Sequence, residues 1–212
     1  MLENKLGITN SAELAREEER ISKTKASVMF ESGFLDTLEA GTVSALCEIH
    51  RFLFCDIYDF AGKLRTVNIS KGKFRFASVM YLEEALAAVE KMPQSSFDEI
   101  IEKYVEMNIA HPFREGNGRS MRIWLDLMLK ASLGKVTDWN SVDKESYLVA
   151  MEHSPVSDRD IKAVIASTLT DRISDRDTFM KGIDNSYYYE GYTAYSTARL
   201  SELHNKINRE SP

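Results

Sequence analysis

The sequence has few of the residues that mark linkers, disulfide frameworks or membrane spans. It contains four prolines and ten glycines in 212 residues, without a low-complexity tract or internal repeat, so we expect a single domain. Its two cysteines show no metal-ligand spacing, which argues against a disulfide framework or a zinc site. No segment approaches the ~18 apolar residues of a membrane span, and the polar start lacks a secretory core. We therefore expect a cytoplasmic protein that does not bind a membrane.

The charge balance also excludes a class of partner. The formal net charge is −6 and no long basic run is present. Direct nucleic-acid binding is disfavoured, because it depends on lysine and arginine neutralising many phosphates. A phosphate site in this chain must be local.

The apolar periodicity predicts a mainly α fold with one small β-hairpin. Asn10 with Glu13 indicates a helix start, and this helix is expected to run to about Glu31. Beyond Thr42, apolar residues recur at helical spacing and predict a second helix with a buried stripe. Later helices are predicted at about 81–91, 96–111, 120–134, 143–153, 158–173 and 185–206.

Residues 66–76 give the only strand signal. Polar and bulky residues alternate there around a turn at Lys71, Gly72 and Lys73, followed by Phe74. This segment is predicted to be a short hairpin.

The segment 111–122 combines features of an anion site. A loop with Gly116 and Gly118 leads into a helix, so backbone N–H groups and the helix dipole can face phosphate oxygens. Arg119 and Arg122 lie three residues apart on the first turn of this helix and can grip a polyphosphate.

Two further side chains of this segment could act on a bound nucleotide. Glu115 offers the one carboxylate that Mg²⁺ bridging phosphates would need. His111 precedes the loop and can act as a general base. Alone, such a histidine is more often a cap and paired arginines are more often a solvated face. The occurrence of all these residues within one segment of twelve residues favours a nucleotide site.

The string matches HxFx(D/E)GNGRxxR, the signature of the Fic family, at every defined position. The upstream run 57–65 also resembles that family, although Phe60 stands where tryptophan is frequent. The resemblance implies a Fic-type helical bundle that transfers AMP from ATP to a Tyr, Thr or Ser hydroxyl of a protein target.

The resemblance also implies a role for each residue of the motif. His111 would be the base, Phe113 would face the core, and Glu115 would bind Mg²⁺. An anion hole would be formed by Gly116, Asn117 and Gly118. The β- and γ-phosphates of ATP would be held by Arg119 and Arg122. The hairpin, with Lys71, Gly72, Lys73 and Phe74, resembles the flap that docks a target by main-chain pairing.

A second motif follows near the C-terminus. Residues 186–191 match (S/T)xxxE(G/N), the pattern of the inhibitory helix in regulated members of the family. By resemblance, Ser186 and Glu190 are the inhibitory residues, with Glu190 pairing with Arg122. We expect a catalytic domain over 1–180 and an inhibitory helix over 181–212 packed on it. Self-modification of Tyr187 is a further hypothesis.

Other readings stay open at this level. Relatives of the family transfer UMP, phosphate or phosphocholine, although the intact Gly118 and Arg119 argue against phosphate transfer. The chain could instead be a non-catalytic nucleotide sensor or a toxin–antitoxin partner. A homo-oligomer whose interface contains the terminal helix is also open.

Overall fold

The computed structural model describes residues 2–72 and 74–200. Eight complete α-helices occur in this part of the chain, and residues 197–200 are also helical. They are α1 (Ser11–Glu31), α2 (Val43–Phe54), α3 (Leu82–Glu90), α4 (Phe97–Ala110), α5 (Asn117–Leu133), α6 (Lys144–His153), α7 (Arg159–Ala166) and α8 (Arg176–Tyr189). Two short antiparallel pairs accompany them, β1 (Ser70–Lys71) with β2 (Phe74–Arg75) and β3 (Val136–Thr137) with β4 (Leu169–Thr170). The predicted mainly α fold is confirmed.

Local polar side chains fix where the first helices begin. The Asn10 side chain accepts from the N–H groups of Ala12 and Glu13, as the sequence indicated. Ser96 and Glu99 form the predicted capping box at the start of α4. Helix α4 ends at Ala110, and the loop that carries the motif begins directly after it.

Helix α5 lies at the centre of the molecule. It packs against α2, α4 and α8, and Trp124, Leu125 and Met128 are fully buried on it. The Trp124 indole donates to the carbonyl of Thr42, 3.0 Å away, which ties α5 to the start of α2. A helix buried on so many sides gives the motif at its N-terminus a rigid base.

The prediction of strands was incomplete in two respects. The hairpin pairs only residues 70–71 with 74–75, and three of these four residues are exposed. Because the hairpin buries so little surface, longer strand pairing would add little to its stability. The pairing of β3 with β4 was missed, because two-residue strands leave no periodicity to read.

The predicted bounds of two helices were also wrong. Helix α7 ends at Ala166, because the Thr168 hydroxyl bonds back to the carbonyl of Ile165 and the chain turns into β4. The helix predicted at about 185–206 instead begins at Arg176, is capped by Asp175 and ends at Tyr189. Residues 197–200 are helical again, and residues 201–206 lie outside the described chain. Gly182 hid this start, since it weakens a helical pattern; here it allows close packing on Trp139.

The expected division at residues 180 and 181 thus falls inside α8, and residues 201–212 lie outside the described chain. None of the described helices is long and apolar enough to cross a bilayer.

Candidate active site

The motif forms a loop between the end of α4 and the start of α5. His111 caps α4 in the left-handed conformation, at φ 49°, the one positive φ of a non-glycine residue in the described chain. Gly116, at φ 75°, then turns the backbone into α5 without a side-chain cap. The first N–H groups of α5 are thus available to an anion.

The two glycines of the motif are required by close contacts. A Cβ on Gly116 would lie 2.6 Å from the ring of Phe54, and one on Gly118 would lie 2.6 Å from Oε1 of Glu190. The loop therefore lies directly on α2, and Glu190 lies directly on the N-terminus of α5.

Asn117 holds the loop rather than presenting its amide to the site. Its side chain accepts from Phe113 N at 2.8 Å, donates to Phe113 O at 2.7 Å and is 3% exposed. Phe113 is fully buried, as expected. A role of Asn117 in an anion hole would have to come from its backbone N–H.

His50 supports this loop from α2, although the sequence reading gave it no role. Its ring stacks on Phe113 at 3.9 Å, its Nδ1 accepts from Gly62 N, and its Nε2 donates to Glu115 O at 2.9 Å. Burial lowers the pKa of His50 to about 4, with the bond to Glu115 acting against this shift. His50 follows Leu46 by four residues, so its burial could have been read from the stripe, but its partners could not.

Arg65 ties the hairpin to the histidine of the motif. Its guanidinium is buried and donates to the carbonyls of Val67 (2.9 Å), Ala110 (3.1 Å), Ala77 and His111 (2.8 Å). Both ends of the segment that carries the hairpin are thus attached to the backbone of His111. No sequence signal indicated this role.

The imidazole of His111 lies beneath the hairpin. Phe76 stacks on it at 3.6 Å, and Nδ1 donates to the Asn108 carbonyl at 3.2 Å. A carbonyl can only accept, so Nε2 carries the free lone pair. Burial lowers the pKa of His111 to about 3, and the nearby Lys71 and Arg65 charges act in the same direction. The imidazole is neutral at pH 7.

The hairpin residues lie close to this histidine. Lys71, Gly72 and Phe74 are at its tip, and Phe74 contacts Phe76 edge-on at 5.2 Å. Lys73 lies outside the described residues.

Arg119 is surrounded by three carboxylates. It pairs with Glu18 of α1, with Glu115 at 3.1 Å and with Glu190 at 2.8 Å, while being 1% exposed. The rings of Phe54, Tyr187 and Tyr192 cover its guanidinium. Such burial of a charge is stable only with this compensation.

Glu18 is the partner that the sequence did not reveal, because it lies in the run EEER, which is typical of a solvated helix face. It is 2% exposed and also accepts hydrogen bonds from the hydroxyls of Tyr58 and Tyr192. Burial would raise the pKa of Glu18, but the Arg119 charge and these bonds lower it. Glu18 is therefore ionised at neutral pH beside Arg119.

Arg122 is held by the second motif. Its Nε donates to Ser186 Oγ at 2.7 Å, and its Nη2 donates to Ser186 O and to Glu190 Oε1, both at 2.9 Å. Glu190 is the only carboxylate paired with Arg122 in the described chain. The structure therefore brings Ser186 and Glu190 onto the motif, with Glu190 contacting both arginines.

Two remaining predicted residues have different surroundings. Glu115 is 40% exposed at its side chain, and its Oε1 accepts from Gly116 N and Arg119 Nη2. Tyr187 is 1% exposed and packs beneath Arg119. Self-modification of Tyr187 would require α8 to detach first, and it stays a prediction.

A cavity of about 270 Å³ lies on the far side of Arg122 and Ser186. Its walls come mainly from α5, α8 and the segments 33–36, 136–139 and 172–175, and its charged lining residues include Arg122, Asp126 and Lys130. His111 and the loop 112–118 do not line it. It therefore borders the motif only at Arg122.

Residues 40–129 match the model of the Fic/DOC family. The chain is 29% identical over 173 residues to "Probable protein adenylyltransferase Fic" of Salmonella typhimurium, which covers 74% of this chain and 82% of the relative. It is 30% identical over 182 residues to "Protein adenylyltransferase VbhT" of Bartonella schoenbuchensis, covering 79% of this chain but 37% of that longer protein.

The solved structures support the same fold. The BepC protein of Bartonella tribocorum, solved with bound AMPPNP, superposes with a TM-score of 0.65 at 18% identity. The match covers 80% of this chain and 92% of BepC. At this identity the likeness concerns the fold alone.

The contact of Gly116 with Phe54 predicts a specific cost of adding a methyl group. Gly116→Ala should lower the free energy of unfolding by about 2 kcal/mol more than Gly134→Ala, because overpacking against the ring adds to the strain of a positive φ. Gly134, at φ 61° with open space around its Cβ position, is the matched control. Urea unfolding measures both, and equal losses would contradict the contact.

The buried His50 predicts a loss of stability in acid. Its folded pKa of about 4 lies below the unfolded value of 6.5, so the unfolded chain binds the proton first as pH falls between these values. The free energy of unfolding should therefore drop across this window by about 3 kcal/mol from this group. His50→Asn should show a shallower slope in urea titrations from pH 7 to 4; an unchanged slope would exclude His50 as the source.

Proposed function

We propose that this chain is a Fic-type protein adenylyltransferase, which moves AMP from ATP to a hydroxyl side chain of a target protein, because residues 40–129 match the Fic/DOC family model and the chain resembles a curated adenylyltransferase. The observation that carries the proposal is the position of Glu190. Its carboxylate lies at the N-terminus of α5 between Arg119 and Arg122, at 2.8 and 2.9 Å. A site that holds one anion with two buried arginines and a helix N-terminus suits the phosphates of ATP.

The proposed reaction assigns the proton and the bonds as follows. The target hydroxyl loses its proton to Nε2 of His111, and its oxygen forms a bond to the α-phosphorus. The bond from that phosphorus to the bridging oxygen of the β-phosphate breaks, and pyrophosphate leaves. The bond from Nδ1 to the Asn108 carbonyl supports this role, because it orients the imidazole and leaves Nε2 free.

Most of the rate would come from positioning and from stabilisation of phosphate charge. Gly116, Asn117 and Gly118 would contribute backbone N–H groups, and Arg119 and Arg122 would hold the outer phosphates. Arg122 is the more easily released of the two, since Glu190 is its single carboxylate partner in the described chain. Arg119 stays paired with Glu18 even when Glu190 is displaced.

Glu115 fits a magnesium site. Mg²⁺ is usually bound by one or two carboxylates together with substrate phosphates and waters. Glu115 is a partly exposed carboxylate at the edge of the loop, and the described residues contain no cluster of three or more ligands that would hold a metal without a substrate. When bound, Mg²⁺ would neutralise phosphate charge as pyrophosphate departs.

The hairpin is proposed to dock the target by main-chain pairing. Its strands are short and largely exposed, so an extended segment of a target can add to an edge. It also covers His111 through Phe76, so a docked target would have to reach the imidazole by displacing this ring. Uncovering the imidazole would raise its pKa and make it a stronger base.

Glu190 is proposed to inhibit the enzyme. It neutralises Arg122 and contacts Arg119, so the outer phosphates of ATP would meet a carboxylate in place of a free cation. Ser186 supports this arrangement by accepting from Nε of Arg122.

The proposed base predicts a separation of transfer from binding. His111→Ala should reduce AMP transfer at least about a hundredfold, the range expected for a general base. Affinity for ATP should change less than about threefold, since His111 donates nothing to the phosphates. Labelled-ATP transfer and calorimetry measure the two. His153→Ala, an exposed histidine on α6, is the control. Loss of ATP binding in His111→Ala would mean a structural role.

The inhibitory contact predicts activation on its removal. Glu190→Gly should raise AMP transfer by about tenfold or more, because a charged hydrogen bond to Arg122 no longer competes with ATP. Glu190→Gln, which keeps the shape but not the charge, should be intermediate. Incubation of each variant with labelled ATP and cell lysate would also reveal the modified target. Equal labelling by wild type and Glu190→Gly would refute the inhibition.

A further inference from the structure

The chain that follows α8 turns back onto α1. Glu190 stands one residue beyond the last helical residue, and Gly191, at φ 91°, redirects the backbone. Residues 192–195 then run along α1. The position of Glu190 therefore depends on the anchoring of this segment as well as on α8.

Glu19 of α1 receives two backbone groups of this segment. Its Oε2 accepts from Ala194 N at 2.9 Å, and its Oε1 accepts from Tyr195 N at 3.2 Å. Glu19 is 1% exposed. Hydrogen bonds to a buried carboxylate are stronger than neutral ones, so this contact is a firm attachment.

Lys23, one turn later on α1, completes the attachment. Its Nζ donates to the Tyr195 carbonyl at 2.6 Å and pairs at 3.0 Å with both Glu19 and Asp184. Asp184 belongs to α8 and accepts from Thr197 N at 3.0 Å. One buried lysine thus links α1, α8 and the segment beyond α8.

We infer that Glu19, Lys23 and Asp184 form a latch that holds Glu190 over Arg119 and Arg122. The inference rests on the proposed inhibition by Glu190. It adds a second place that controls this inhibition, the contact between α1 and the segment after α8. None of the three latch residues contacts the two arginines, so the latch acts only through the placement of Glu190. Opening the latch should let the end of α8 move away from α5 and free Arg122.

Glu19→Gln tests the latch. An amide at this position can accept from only one of the two backbone N–H groups and presents a donor to the other, while Lys23 keeps Asp184 as its partner. We expect AMP transfer to rise about tenfold in the otherwise wild-type chain. In the Glu190→Gly background we expect the same substitution to change transfer less than twofold, because nothing remains to be released.

Glu17→Gln is the matched control. Glu17 lies on the same helix, pairs with Arg20 at 2.9 Å and does not contact residues 192–197. It should change transfer in neither background. A rise with Glu19→Gln in both backgrounds or a fall in both would overturn the latch. No change in the wild-type background would also overturn it, provided that Glu190→Gly itself activates transfer.

Hydrogen exchange tests the latch independently of AMP transfer. The N–H groups of Glu190 and Tyr192 both donate to the Tyr187 carbonyl at 3.0 Å and do not touch Glu19. Their exchange should be faster by about tenfold in Glu19→Gln than in Glu17→Gln. If Glu190→Gly fails to activate transfer but this exchange accelerates, the inhibition is wrong and the latch stands. Unchanged exchange removes the latch whatever the activity.

Discussion

The structure depends on the neutralisation of two arginine charges inside the helical bundle. Arg119 and Arg122 are 1% and 4% exposed, and an unpaired charge at either position would be very costly. Glu18 from α1 and Glu190 from the end of α8 supply the compensation, while aromatic rings cover the guanidinium faces. The docking of α1 and α8 onto α5 is therefore coupled to the electrostatics of the motif.

The two arginines differ in how permanent that compensation is. Glu18 is buried, lies within α1 and is held by two tyrosine hydroxyls, so it cannot leave without disturbing the first helix. Glu190 lies at a helix end and is joined to the rest by a turn at Gly191. The same guanidinium groups thus stabilise the fold and, under the proposed function, would bind phosphates in place of Glu190.

Much of the fold and the centre of the site could be predicted from local sequence. Helix caps at Asn10 and Ser96 and the apolar character of α5 depend on neighbouring residues, so their elements were placed correctly. Strands of two residues and a helix interrupted by Gly182 carry no clear period, so β3, β4 and the start of α8 were missed. Glu18, His50 and Arg65 were also missed as parts of the site, because each acts through a partner between 45 and 101 residues away.

Arg65 fastens both ends of the hairpin segment and the carbonyl of His111 to one guanidinium. The position of the hairpin segment relative to the backbone of His111 is therefore set by a single buried guanidinium. If a target pairs with the hairpin edge as proposed, the hydroxyl that reaches the imidazole would be selected by the number of residues between it and the paired ones, more than by the side chains around it.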